Sequence, residues 1–394
     1  MVDVFVVFIV ILLLNQLMFR SLSKKYAFFD KSLMNKLFWY HILFFLVYYT
    51  YALFNPSDSK HYYFVAQEVG AEWPQLFETG TKFVSFLAAP LVQMGLSYTS
   101  MMLIFAWMGY VGFVYAYLFF RENITVSFKL FNRIDFLTLM LFLPNMHFWT
   151  VSLGKGSVIF MGLMIFTQAV KFPQKRILGL LVGGFFIFMI RPHVMLFVLV
   201  GVMVGLLTGR GKLSTPMKLL IVFASVGFLI AASQSILSMA KLEGSENMVT
   251  DFEAFSEKRS AELSRTAGSG VNMNNYPLPL KFFTFWFRPL FVDSPSALGF
   301  FSSFENLLYL FLFLKILNKR FLAFIKRAPY MVKMSAIVFL LSSFALTFVM
   351  SNLGIIMRQK SMVMYFAFFV IGYFLAEEKW RRMQRKAPVV KKQL

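Results

Sequence analysis

Residues 99–120 read TSMMLIFAWMGYVGFVYAYLFF, a run of 22 residues without one charged side chain. As an α-helix rising about 1.5 Å per residue, such a run crosses the roughly 30 Å hydrocarbon core of a bilayer. Similar apolar runs recur on both sides of it, and the charges sit between them. With 59% hydrophobic and 14% charged residues, and a mean hydropathy of +0.68, the chain has more apolar surface than a soluble core of 394 residues can bury. The membrane is the solvent that fits this composition.

The same criterion places spanning helices at 2–19, 37–54, 99–120, 135–151, 157–170, 177–190, 194–208, 217–237, 297–317, 333–351 and 361–376. The expected fold is therefore all-α, a polytopic transmembrane bundle of about eleven spans forming one membrane domain over residues 1–394. Residues 2–19 lack a basic start and a small-residue cleavage site, and Arg20, Lys24 and Lys25 follow, so they read as a retained helix. Residues 83–97 are short and contain Pro90 and Gln93, which suits an interfacial or re-entrant segment after the second helix.

Charge orients this arrangement. With eleven spans and the N-terminus outside, the inner loops and adjoining helix ends hold 27 of the 39 Lys and Arg residues and the outer side holds 12. Making 83–97 a twelfth span gives 24 inside against 15, so the two arrangements differ by three residues. The net charge of +21 is spread over many loops instead of one soluble surface, which assigns it to membrane orientation and excludes nucleic acid. Residues 377–394 form a basic cytoplasmic tail, suited to membrane lipids with anionic headgroups. With no cysteine, thiolate nucleophiles, disulfides and Cys-ligated metals are excluded.

Two outer segments exceed what an anchor needs: 55–98, and 238–296 with its acidic stretch 243–265 and the turn 268–270. On the same side the helix ends carry Lys155 in Leu153-Gly154-Lys155-Gly156, Arg191 and His193 in Arg191-Pro192-His193, Arg288, and Arg358 with Lys360. A cation at a helix end often snorkels to headgroups. Cations gathered on the side where they are disfavoured point instead to an anionic partner, and phosphate matches the Arg fork, with Gly154 and Gly156 leaving room for backbone approach. The Gly-Lys-Gly turn lacks Walker spacing, which excludes nucleotide hydrolysis on that motif. Asp58, in Ser57-Asp58-Ser59-Lys60-His61-Tyr62-Tyr63, is the general-base candidate; Asp58 or Ser57 also suits a helix N-cap. Tyr62 and Tyr63 serve either as sugar-stacking groups or as an interfacial belt. His61, His147 and His193 fall near the outer side without ligand spacing, so no metal or other cofactor is expected.

The acid with following tyrosines (Asp58, Tyr62, Tyr63), the interfacial segment, the Leu153–Gly156 turn, Ile190–His193, the late outer loop and Met357–Ser361 leading into Tyr365-Phe366 resemble bacterial polysaccharide polymerases of the Wzy and EpsG type. These polymerases are related to the GT-C membrane glycosyltransferases. The resemblance implies transfer of polyprenyl-diphosphate-linked oligosaccharide units on the outer face of a bacterial inner membrane, with a flippase and a chain-length regulator as neighbours. Lys155, Arg191, Arg288 and Arg358 would then hold the diphosphate, Asp58 or His193 would take the acceptor proton, and Tyr62, Tyr63 and His61 would contact sugar. A ligase would use the same cations. A transporter or flippase for a lipid-linked sugar or another anion is the competing class; it predicts internal repeats and charges at mid-membrane.

Overall fold

The computed structural model describes residues 2–211, 213–239, 276–294, 296–349 and 352–386, together with residues 254, 258, 270, 271 and 273. The acidic stretch 243–265, apart from two isolated positions, and most of the turn 268–270 lie outside these, as does the end of the basic tail.

The first helices are α1 (Val2–Lys25), α2 (Lys31–Phe54), α3 (Asp58–Glu68), α4 (Thr81–Gln93) and α5 (Tyr98–Asn123). A two-residue antiparallel ladder, β1 (Lys129–Leu130) with β2 (Ile134–Asp135), leads to α6 (Phe136–Leu141), α7 (Pro144–Thr150), α8 (Lys155–Val170), α9 (Ile177–Ile190) and α10 (Pro192–Thr208). The chain continues through α11 (Thr215–Ala231), α12 (Ser233–Met239), α13 (Leu278–Phe287), α14 (Ala297–Ile316), α15 (Lys319–Arg327), α16 (Tyr330–Val349) and α17 (Leu353–Lys386). Among the described residues six helices are long and apolar enough to cross a membrane: α1, α2, α5, α14, α16 and α17. Four more, α8 to α11, are apolar but shorter.

Helices α5 and α17 form the centre, with 78% of their apolar windows buried, whereas α1 runs along the outside with 11%. Asp3 ties α1 to the bundle by accepting from the Ser97 amide (2.9 Å) and the Ser100 hydroxyl (2.7 Å) at the start of α5. Helix α4, at 13 residues, is shorter than the six candidate spans. It packs on α3, with Ser85 donating to the Tyr62 carbonyl and Gln93 to the Gly70 carbonyl, while Gly80 donates to the Met189 carbonyl at its start.

Two helices differ from the sequence expectation. The expected span 135–151 is broken between α6 and α7, because Pro144 cannot donate to a continuing helix and disfavours the α conformation before it. The carbonyls freed at the break are met from three sides: Tyr365 donates to Met140 (3.0 Å), the His147 ring contacts Leu141 (2.8 Å), and Tyr40 donates to Phe142 (3.0 Å). The last span begins at Leu353 and not at residue 361, so Arg358 and Lys360 belong to its first turns.

His147 is also placed differently. It is fully buried, its Nδ1 lies 2.8 Å from Nδ1 of His41, and Phe113 stacks on it at 4.0 Å. It holds α7 to α2 and α5.

Candidate functional site

Four helix N-termini meet at the Asp58 end. Ser57 caps α3, accepting from the Ser59 amide, and joins a hydroxyl chain through Tyr48, Ser59 and Tyr98. The capping role thus falls to Ser57, which leaves the Asp58 carboxylate for Arg358: their side chains meet at 2.8 Å across 300 residues of sequence. Asp58 is 62% exposed there and Arg358 25%. The guanidinium of Arg358 also lies 5.9 Å from the Trp149 ring.

Arg191 is the N-cap of α10, is buried, and donates to the side chain of Gln359 beside Arg358. Burial, and then the charge of Arg358, push its guanidinium down to about 9, while Tyr62 opposes this. Tyr62 is buried on α3, and its hydroxyl is pushed up by burial first and then by Asp58, with Arg358 and Arg191 acting the other way. Lys155 opens α8 and, with Arg191, acts electrostatically on the half-buried His193. A Cβ added at Gly154, the N-cap of α8, would lie 3.7 Å from the Tyr62 ring.

Lys155, Arg191, Arg358, Asp58, Tyr62 and His193 are therefore one neighbourhood. Helices α8 and α10 have no side-chain cap there. Their positive dipole ends add to three cations, so an anion at this place is favoured by charge from both sources.

The other candidate residues are placed elsewhere or otherwise occupied. Arg288 is paired with Asp293 on its own turn. Lys360 is buried and donates to the Arg288 carbonyl (2.7 Å) and Asn306 Oδ1 (2.6 Å), so it fastens α17 to α13 and α14 and faces no ligand. Gly156 serves packing, since a Cβ there would overlap the Trp149 carbonyl oxygen. Tyr63 donates to the Leu96 carbonyl (3.1 Å), and His61 is exposed beside Tyr62.

Below the cluster lies a groove of about 900 Å³ between α2, α7, α14 and the start of α17. Its walls are mainly apolar, with Val47, Phe301 and Phe304 on its exposed side. Trp149 and Met357 line its upper part, directly beside Arg358. Glu305 forms a polar point in its wall and is fixed by the Asn145 amide (2.6 Å) and the Tyr309 hydroxyl (2.5 Å). Asn145 in turn accepts from the Trp149 indole (3.1 Å) and donates to the Met357 carbonyl (3.1 Å). The lone acid at 305 within the apolar run 297–317 was the available sequence signal for this wall. Trp149, one of many aromatics in apolar runs, gave none.

Compared with known proteins, the chain matches no family model, no curated protein and no solved structure.

Proposed function

We propose that the chain is a membrane glycosyltransferase that joins polyprenyl-diphosphate-linked glycan units, a polysaccharide polymerase in the manner of Wzy and EpsG proteins. The observation that carries this reading is the meeting of Lys155, Arg191 and Arg358 with Asp58 and Tyr62 at uncapped helix ends, directly above a lateral apolar groove. A lipid diphosphate has the matching parts: two phosphates for the cations and a long chain for the groove.

In this reading the incoming diphosphate replaces Asp58 on Arg358 and releases the carboxylate. Asp58, or His193 near Arg191 and Lys155, takes the proton of the acceptor hydroxyl as its oxygen bonds the anomeric carbon. The bond from that carbon to the diphosphate breaks, and the cations hold the departing charge. The six long apolar helices, the four shorter ones and the broken pair α6–α7 make eleven crossings in a GT-C-like arrangement. The Asp58 end faces outward from a bacterial inner membrane and the basic end faces the cytoplasm. A flippase and a chain-length regulator are the neighbours this reading implies.

Purified protein given lipid-linked oligosaccharide is expected to extend it, and Asp58→Asn and Arg191→Ala are each expected to cut extension by at least about tenfold. Wild-type extension with both variants unchanged would overturn the site assignment. The transporter reading draws on the broken crossing and on buried Glu305 and Lys360. It takes over if no glycan transfer occurs and labelled lipid crosses proteoliposomes.

A further inference from the structure

At the end of the bundle opposite Asp58, α15 and the last turns of α17 lie side by side. Phe324 of α15 is fully buried against Tyr373 and Phe374 of α17, and Phe321 packs on Phe374 at 5.3 Å. These rings fix the rotation of α15. Arg320, Ala323 and Arg327 therefore occupy one stripe of α15, at i, i+3 and i+7, while Glu378, Arg381, Arg382 and Arg385 occupy one stripe of α17. The two stripes line a pocket of about 260 Å³, with Ala323 leaving space between the longer side chains.

Five guanidiniums surround this space. Glu377 pairs with Arg327 (2.9 Å) and Arg381 (2.6 Å), and Glu378 with Arg320 (3.4 Å). Two carboxylates against five cations leave a charge of +3, and Arg382 and Arg385 have no ion-pair partner among the described residues. Facing stripes of like charge repel, and a bound anion removes that cost. Planar forks arriving from two helices suit phosphate oxygens, which accept bidentate pairs from several directions. The pocket also lies at headgroup level: Leu322 of α15 and Trp380 of α17 are exposed at the same turns, on faces turned away from it, as expected of side chains that meet an interface.

We infer that this arginine pocket binds a phosphate-bearing ligand with at least two negative charges. The chemistry is shared by anionic phospholipid headgroups of that leaflet and by soluble polyphosphates. The inference does not depend on the glycan-transfer reading, because it uses none of the residues at the Asp58 end.

The test uses full-length protein carrying Arg358→Ala, so that anion binding at the far end does not contribute. In neutral detergent it is titrated with cardiolipin, phosphatidylglycerol, phosphatidylcholine or inorganic pyrophosphate and followed by native mass spectrometry. Adding Arg382→Ala with Arg385→Ala is expected to weaken cardiolipin retention by about tenfold or more. Arg382→Lys with Arg385→Lys keeps the charge but removes the fork; it is expected to give an intermediate loss and serves if the alanine pair fails to fold. Loss of pyrophosphate binding in the alanine pair, without cardiolipin retention in its parent, would assign the pocket to a soluble ligand. Retention of phosphatidylcholine equal to that of cardiolipin, or cardiolipin retention unchanged in both double variants, would overturn the inference.

Discussion

Arg191 is a cation whose charge depends on its surroundings. Because burial and Arg358 pull its guanidinium down to about 9, it is charged at neutral pH and loses charge as pH rises through that value. Anion affinity at the Asp58 end should accordingly stay level around neutrality and fall above about pH 9. Sulfate, which does not titrate there, is a suitable probe by calorimetry, and Arg191→Ala should remove the step. The buried histidine pair sets a different requirement. Both Nε2 atoms face carbonyls, of Ala106 and Leu141, and the Nδ1 atoms face each other, so three contacts compete for the ring protons. His147→Ala removes two of these contacts and the stacking on Phe113, and is expected to cost about 2–4 kcal/mol in thermal unfolding in detergent. At this scale the sequence was partly legible. The candidates Asp58, Lys155, Arg191 and Arg358 stood out because charge is rare in apolar surroundings. Arg288 and Lys360 looked alike in sequence; the first is taken up by Asp293 on its own turn, and the second by Asn306, 54 residues away, a partner that no local pattern brings to it.

Helices were legible where a run is long and uninterrupted, as in α2 and α5. Where Pro144 divides a run, composition reports apolar character but not the break. Glycine was read in the wrong sense as well: Gly156 was expected to admit a ligand, and it admits a neighbouring backbone. Gly156→Ala, and Gly109→Ala facing the Thr150 carbonyl, each force backbone apart around α7. Each should destabilise by about 2 kcal/mol or more. Gly154→Ala, whose Cβ meets Tyr62 and Ser152 at ordinary contact distance, should unfold at nearly the wild-type temperature. Similar losses at all three positions would contradict the packing role given to Gly156.

For the whole molecule, the groove and the cation cluster are separate surfaces that meet at Trp149. Filling the groove by Ser302→Trp is expected to weaken binding of a lipid-linked diphosphate by about tenfold or more while leaving sulfate binding unchanged. Equal effects on both would mean that the groove acts only through the fold. The groove itself was not legible, since its walls come from residues 44–51, 143–149, 296–308 and 354–357. The salt bridge between Asp58 and Arg358 has a consequence in time. Its two halves leave the ribosome 300 residues apart, so the first crossings are made before the second half exists. A nascent chain carries the acid of the site and waits for its arginine, and only a finished chain can close it.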